Sequence, residues 1–485
     1  MKTVLAGVLA LVLSECASVP PPRALDPQAD ARAFASRRLD AAGLADAETR
    51  LGLSGKVDAP WTPDRITVAA WYFDPALAQA RAAGTRAEAD AAVAAQRANP
   101  TLKLSPEKVF AGDTSAISPW TIGVAVLLPL LHPGEAAARR AVASADTAAA
   151  RDQEAEAVWQ SRTRAITALR DVLLDRRAET FAEESAHADT AYLDGVRARQ
   201  AAGEIDRNAV LVAELNAQRA EADLASRGAQ RDAVEHALAT AIGIPRTALD
   251  GITLSWPGLD TPPAPSALPP AALAEDAVWN RLDLAVLLQR YRAAEAHLRE
   301  AAETRYPQLA IAPGYIYDQG ERKFSFDIDV ELPLFHGADA RIRAAAATRD
   351  EAAAAVRAKQ ASIFNELDAA RAGYTLRYAA WRRMVDAATA AHDLAARAAA
   401  QRAAGQSDQL SVLTANAAAD AADLNATDAL SSAWAELGKL EDTLQRPVWP
   451  VSRLPVPSIQ SAGQLPVPPA NSEATHVEAT HVDAH

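Results

Sequence analysis

The chain has 485 residues, a formal net charge of −13 and 49% hydrophobic residues, many of which are alanine. This acidic balance argues against nucleic acid as a partner, because binding phosphates requires a basic surface. The single cysteine, Cys16, excludes an internal disulfide. Long helices that pack closely through small side chains suit this composition better than a deep globular core.

The N-terminus has the organisation of an export signal. A basic start precedes an apolar run at residues 4–13 that is too short to span a membrane as a helix. The tetrapeptide Leu13-Ser14-Glu15-Cys16 resembles a bacterial lipobox, although Glu15 stands where that motif has a small residue. We predict a signal peptide at residues 1–15 and an N-terminal lipid on Cys16. Ordinary signal cleavage near this point is the alternative.

After a tether segment at residues 16–62, the chain repeats itself. Four segments of the first half match four of the second half in the same order, which is a specific sign of duplication. The matched ranges are 70–78 with 277–285, 99–102 with 306–309, 127–132 with 331–336, and 201–206 with 403–408. We predict repeats at 63–245 and 272–445, a proline-rich linker at 246–271 and a disordered tail at 446–485.

Each repeat predicts the same series of elements. A moderate helix (75–98 and 282–305) precedes a β-hairpin, and a very long helix (134–202 and 337–404) follows the hairpin. At about 1.5 Å per residue the long helix spans roughly 100 Å. The moderate helix and the helix after the next turn, laid end to end, match that length. Each repeat therefore forms one continuous rod and one rod assembled from two pieces.

Two turns join the long helices to the helices that follow them. Gly203 and Gly405 are placed to end the long helices, and Asp206 and Asp408 are placed to cap the next ones. Those next helices are predicted to run to about residues 242 and 444. The hairpin turns are predicted at 112–119 and 318–323.

The most informative strand covers residues 324–332, where large apolar residues alternate with small or acidic ones. One face carries Phe324, Phe326, Ile328 and Val330, and the other carries Ser325, Asp327, Asp329 and Glu331. About nine residues suffice for a tilted strand to cross a bilayer. No segment after the signal is apolar enough for a membrane helix, so strands would have to make any crossing. We predict lipid on the apolar side and an acidic lumen on the other.

Four strands from one chain cannot close a barrel, and an open sheet edge is not tolerated in lipid. Several copies must therefore contribute to one barrel. Three copies would supply twelve strands, which lies within the range of bacterial barrels.

Over about residues 63–445 the duplicated plan resembles the TolC-like outer-membrane efflux channels, and the N-terminus is similar to their lipoprotein branch. The resemblance rests on the order of the elements, the Asn99-Pro100 and Tyr306-Pro307 strand entries, the strand exit at 330–335 and the two Ala-Ala-Gly turns. It implies a mostly α fold with a small β part, in which a trimeric α-barrel in the periplasm continues into a 12-stranded transmembrane β-barrel. It also implies a periplasmic adaptor (membrane fusion) protein and an inner-membrane efflux pump as partners.

The resemblance places the adaptor contact at the periplasmic tips, which comprise Ala201, Ala202, Gly203, Ala403, Ala404 and Gly405. Helix termination by itself also explains the glycines. The carboxylates that close the channel in this family have no counterpart, because Ala209 and Ser411 stand at those positions. Asp206 and Asp408 are the candidate gate, although N-capping explains both.

The candidate pore-lumen residues are Asp327, Asp329 and Glu331. Carboxylates in a pore favour cations, but polar residues that only hydrate a wide lumen account for them as well. Salt screens such charges within about 8 Å, which favours the second interpretation.

Histidines are weak candidates for a metal site, namely His132, His336, His476, His481 and His485. Without neighbouring Cys or Met ligands, a structural role is favoured for His132 and His336, which stand at equivalent strand-to-helix junctions. No glycine-rich phosphate loop, nucleophile elbow or paired cysteines occur, so we predict a non-enzyme without a cofactor.

Two functions fit these patterns. The first is the outer-membrane channel subunit of a tripartite efflux system, with metal cations as the first suggestion for the cargo. The second is a periplasmic coiled-coil adaptor or structural protein. An adaptor would carry one helical hairpin between split β-domains, whereas two helical and two β-hairpins in tandem favour the channel.

Overall fold

The computed structural model describes residues 24–53, 56, 59–110, 118–130, 133–269, 279, 281–331, 338–448 and 454. The helices are α1 (Pro27–Ala35), α2 (Ala42–Arg50), α3 (Pro63–Phe73), α4 (Pro75–Ala94), α5 (Pro133–Ala201), α6 (Arg207–Ile242), α7 (Leu282–Glu303), α8 (Ala338–Ala403) and α9 (Gln409–Leu444). The strands are β1 (Thr101–Lys108), β2 (Trp120–Leu130), β3 (Gln308–Asp318) and β4 (Glu321–Glu331). Within the described residues, no helix combines the length and apolar character needed to cross a membrane.

The predicted series of elements is confirmed in both repeats, and α6 and α9 end at the predicted residues. The helix α4 is shorter than predicted and ends at Ala94. The second hairpin turn is also shorter, because only Gln319 and Gly320 separate the strands. Both adopt positive φ angles, 49° and 108°. Gln-Gly is not the usual Asn-Gly or Asp-Gly signal of such a turn, so the sequence did not predict a turn of two residues. Most of the first hairpin turn lies outside the described residues.

The rods follow a linear order that has two open edges. The central rod is α5, which packs against α4 and α6 on one side and against α7 and α9 on the other. The long helix α8 packs beyond α7 and α9. The pair α4 and α6 therefore forms one edge of the chain, and α8 forms the other.

The sheet repeats this order. Its four antiparallel strands lie in the order β1-β2-β3-β4, so the edge strands are β1 and β4. Because β1 follows α4 and β4 precedes α8, sheet and rods present the same two edges.

Large buried residues concentrate near the middle of the long helices. The first core includes Trp71, Trp159 and Ile242, and the second includes Tyr374 and Trp434. Towards the glycine turns, the buried residues of the second repeat are mostly alanine, and in the first repeat Ala213 and Ala217 pack with Leu193 and Val196. Small side chains let two helices approach closely over a long distance, which confirms the packing expected from the composition.

The segment before the first repeat and the linker between the repeats pack around these two cores. Trp61 exchanges backbone hydrogen bonds with Thr253 and Ser255 at 2.8 and 3.1 Å. In the linker, the carbonyl of Leu259 accepts a hydrogen bond from the Trp434 indole at 2.7 Å, and the carbonyl of Pro263 accepts one from the Tyr374 hydroxyl. The linker is thus packed onto the second repeat.

A charged network fixes the start of α7 against the end of α9. The buried Arg281 donates two hydrogen bonds to the carboxylate of Asp283 and one, at 2.6 Å, to the carbonyl of Thr443. Lys359 of α8 lies 2.8 Å from the same carboxylate. Burial raises the pKa of Asp283, but the hydrogen bonds from Arg281 and Lys359 outweigh burial and lower this pKa to about 2.

We predict that Asp283→Asn will destabilise the protein by about 3 kcal/mol at neutral pH, because it leaves buried cations without their carboxylate. Since the folded pKa is about 2 and the unfolded value is about 3.9, this stabilisation is complete above pH ~4 and disappears as the pH falls through about 2. Thermal melting of the helical circular dichroism signal should show a wild-type advantage at pH 7 that shrinks below pH 4. An advantage independent of pH would contradict the assignment.

Candidate functional site: the sheet faces and the helical tips

One face of the sheet is apolar across all four strands. Residues directly opposite each other share a face, and one such row contains Leu104, Val124, Tyr315 and Phe324. A second row contains Leu128, Ile311 and Ile328. Phe324 is 75% exposed and Ile328 is 61% exposed, so no described part of the chain covers the β4 end of this face. An apolar surface of this extent marks contact with another apolar phase or with another protein.

The opposite face is polar and lined by small residues. Asp327, Asp329 and Glu331 lie on it together, as the strand pattern predicts, and all three are exposed. Asp327 is opposite Ala312, and Asp329 is opposite Ala310. The two aspartates therefore each have an alanine as their neighbour across the strands.

A lysine that the sequence analysis did not single out also lies on the polar face. The Nζ atom of Lys103 in β1 is 3.8 Å from Oδ2 of Asp329 in β4. Because β1 and β4 are the two edges of the sheet, this contact requires the sheet to curl around its polar face. The sequence could not predict this ion pair, because the two residues are far apart in the chain and only the curl of the sheet brings them together. Both side chains are more than half exposed, so the pair adds little stability.

The two turns at the far end of the rods have the same geometry. Gly203 and Gly405 have φ angles of 78° and 72°, in the left-handed region that favours glycine. The amide of Glu204 donates to the carbonyl of Arg199 at 3.0 Å, and the amide of Gln406 donates to the carbonyl of Gln401 at 2.8 Å. The predicted tip residues are all exposed, namely Ala201, Ala202, Gly203, Ala403, Ala404 and Gly405.

Asp206 and Asp408 both cap helices but differ in their surroundings. Asp206 accepts a hydrogen bond from the amide of Ala209 at 2.9 Å, and Asp408 accepts one from the amide of Ser411 at 2.8 Å. Asp408 also pairs with the guanidinium of Arg199 in α5. The pKa of Asp408 is lowered by the hydroxyl of Ser411, by its amide and by Arg199. This ion pair ties the tip of the first repeat to the tip of the second.

The remaining predicted sites lie outside the described residues. They are Cys16, His132, His336, His476, His481 and His485. Within the described part of the chain, no group of three or more His, Cys, Asp or Glu side chains is arranged to hold a metal ion.

Comparison with solved structures identifies the architecture. The outer membrane protein VceC from Vibrio cholerae superposes with a TM-score of 0.63 at 18% identity, covering 79% of this chain and 95% of VceC. The Campylobacter jejuni CmeC outer membrane channel gives 0.65 at 12% identity, covering 79% and 85% of the two chains. The open state of the Neisseria gonorrhoeae MtrE outer membrane channel gives 0.63 at 18% identity, covering 79% and 88%. The chain has the fold of the TolC-like outer-membrane efflux channels. No protein-family model and no curated protein sequence matches it.

In this TolC-like fold, the long helices connect the sheet to the glycine turns. The sheet lies at one end of the continuous rods α5 and α8, and the glycine turns lie at the other, separated by roughly 100 Å of helix. The exposed apolar sheet face and the exposed glycine turns therefore occupy opposite ends of the long helices.

We predict that Gly203→Ala will destabilise the tip by about 1 kcal/mol, because alanine is strained in the left-handed region. No atom lies within 4 Å of the added Cβ, so a steric clash does not contribute. Gly228→Ala in the interior of α6 is the matched control and should stabilise its helix by a similar amount. Amide hydrogen exchange at residues 204–209 should accelerate only in the first variant. Equal exchange in both variants would show that the turn conformation is not a constraint.

Proposed function

We propose that the chain is the outer-membrane channel subunit of a tripartite efflux system, which exports small substrates across the periplasm and the outer membrane. One observation carries this proposal: a curled sheet with an exposed apolar face and a polar inner face, mounted at the end of long helical rods. In this proposal, lipid contacts the apolar face and water fills the space inside the polar face.

Trimer formation follows from the open edges. The edge strands β1 and β4 each have one unpaired side, and a sheet in lipid needs a partner for every edge. Pairing β4 of one copy with β1 of the next copy would close a ring, and three copies would supply twelve strands. The same ring would place α8 of one copy beside α4 and α6 of the next.

The proposed trimer also assigns roles to the polar face of the sheet and to the helical tips. Asp327, Asp329 and Glu331 would line the pore, with Lys103 offsetting part of their charge. The exposed glycine turns would meet a periplasmic adaptor, which links the channel to an inner-membrane pump. Asp408 with Arg199 would hold the tips together in the closed state, and Asp206 would occupy the equivalent place in the first repeat. A lipid on Cys16 would anchor the N-terminus to the outer membrane.

The cargo is proposed only as a class. An acidic lumen and the tail histidines favour metal cations over organic compounds, although a wide water-filled lumen passes both. The periplasmic adaptor or structural protein remains the second candidate function. It is disfavoured because each repeat carries its own β-hairpin, and all four strands join one sheet.

The test of function is a deletion strain challenged with copper, zinc, cobalt, dyes and antibiotics, and complemented with the wild type or with a chain truncated at Pro469. We expect the strain to be sensitive, and the wild-type protein to be recovered from outer membranes as an oligomer that dissociates on heating. Metal sensitivity that the truncated chain fails to correct would assign metal as the cargo. A soluble, monomeric protein after export would refute the channel.

Neighbouring residues of β4 test which face meets lipid. Ile328→Lys should lower the amount of protein inserted into outer membranes, because a lysine at mid-membrane on a lipid-facing strand costs about 2–4 kcal/mol. Asp329→Lys is the matched control, since the same side chain would then point into water. Quantifying the heat-modifiable oligomer in membrane fractions should show loss for the first variant and wild-type recovery for the second. Equal loss would refute the assignment of the faces.

A further inference from the structure

A cleft near the middle of the long helices joins parts of both repeats. It lies between one side of α5, α9, the start of α3 at Pro63 and Trp256 of the linker. The α5 residues that line it are Arg162, Thr163, Ile166, Thr167 and Arg170, whose spacing of four and eight residues follows one side of a helix. The α9 residues are Trp434, Leu437, Gly438 and Glu441. The first repeat, the linker and the second repeat therefore meet at this cleft.

The cleft is too small for an organic ligand. It leaves about 40 Å³ open to a water-sized molecule, whereas pockets for drug-sized ligands measure roughly 300–1,000 Å³. One water molecule needs about 10–15 Å³ of such space. The cleft therefore has room for one small ion or for a few water molecules.

Two buried arginines bring positive charge to the cleft. Arg162 is 5% exposed and Arg170 is 7% exposed. Nη1 of Arg162 is 3.9 Å from Oε2 of Glu441, which is too far for a hydrogen bond, and this guanidinium forms none with the described residues. Arg170 donates to Asp171 through Nε at 2.8 Å and Nη2 at 2.6 Å, which leaves its Nη1 without a hydrogen bond in the described part of the chain. That Nη1 atom lies on the α9 side, 3.6 Å from a Cβ built on Gly438.

Two neutral donors in the cleft also lack an acceptor. The hydroxyl of Thr163 and the indole nitrogen of Trp256 are both buried, and neither has a hydrogen-bond partner within the described residues. The neighbouring indole of Trp434, in contrast, donates to the carbonyl of Leu259 at 2.7 Å. Burying a donor without an acceptor is costly, so a folded protein normally supplies one.

Acceptors are scarce in the cleft. Among the described residues that line it, Glu441 is the one carboxylate, and its Oε1 already accepts a hydrogen bond from the amide of Val448 at 2.9 Å. Burial lowers the pKa of Arg162, and the attraction of Glu441 and Asp64 does not fully offset this effect. A water molecule would need acceptors for its own two hydrogens, whereas an anion only accepts. An anion therefore suits the cleft better than water does.

We propose that this cleft binds one small inorganic anion of the size of chloride. Arg162 and Arg170 supply the charge, and the hydroxyl of Thr163 and the indole of Trp256 donate hydrogen bonds to the anion. Because nearby carboxylates offset part of the arginine charge, a monovalent anion suits the site better than a divalent one. The bound anion links α5 to α9 and to the linker, and so it stabilises the arrangement of the two repeats. The site is independent of the proposed export function, since it needs only one folded chain.

The first experiment measures thermal unfolding of the full-length protein, purified in detergent, as chloride replaces gluconate at constant ionic strength. Gluconate is too large for the cleft and serves as the inert anion. We expect the melting temperature of the helical circular dichroism signal to rise with the logarithm of the chloride concentration once the site begins to fill, and to do the same with bromide.

Conservative variants assign this effect to the cleft. Trp256→Phe and Thr163→Val each remove one donor, and each should weaken binding roughly tenfold, the size expected for one hydrogen bond to a charged acceptor. The rise should then begin at about tenfold higher chloride. Trp434→Phe and Thr427→Val are the matched controls, because the Trp434 indole already has its acceptor and Thr427 lines a different cleft. Both controls should keep the wild-type chloride dependence even where their melting temperature differs.

Anomalous diffraction from crystals grown in bromide locates the anion. We expect a bromine peak in the cleft between Arg162 and Arg170. Arg162→Gln should abolish both the peak and the chloride dependence, and the conservative variants decide the question if Arg162→Gln does not fold.

Three outcomes would refute the anion site. They are an equal chloride dependence in all variants, which is a general salt effect, the absence of a bromine peak from the cleft, which assigns the cleft to water, and a peak without any chloride dependence in solution, which is binding at crystal concentration only. None of these results would bear on the channel, which depends on the oligomer in the outer membrane.

Discussion

The packing of α5 against both halves of the chain determines the rest of the structure. This single helix contacts the jointed rod of its own repeat and the jointed rod of the other repeat, and so it sets the linear order of all the rods. The strand order follows, because each hairpin begins and ends on these helices. Cross-repeat hydrogen bonds such as that from the Trp159 indole to Asp442, at 2.9 Å, fix the relative height of the two repeats.

Different parts of α5 achieve this contact by different means. At mid-height, tryptophan and leucine bury large areas and supply most of the hydrophobic stabilisation. Towards the turn, Leu193 and Val196 of α5 form a small buried cluster with Ala213 and Ala217 of α6, and the ion pair of Arg199 with Asp408 joins the repeats. Because exposed ion pairs contribute little free energy, the turn end is held less strongly than the middle.

Much of this fold could be predicted from the sequence, because its elements are long and strongly patterned. Proline and glycine mark the helix ends, alternation marks β4, and the repeated order of motifs reveals the duplication. The contacts between repeats were not predictable in the same way. Lys103 with Asp329, and Arg199 with Asp408, join residues that are distant in sequence, and only the relative position of the rods brings them together. Duplicated residues such as Asp206 and Asp408 look equivalent in sequence but have different neighbours. Asp408 precedes α9, which packs between α5 and α8, whereas Asp206 precedes α6, which lies at the edge of the chain.

The two edges of the chain are unlike each other, one a jointed rod and the other the unbroken helix α8. In the proposed oligomer, contacts between copies would therefore be head-to-tail, and a head-to-tail contact repeats without limit unless the rotation between copies closes it. The curl of the sheet around its polar face provides a rotation in a constant direction. A change that flattened the sheet would thus favour an open filament over a ring, and it would do so without weakening any single contact between copies.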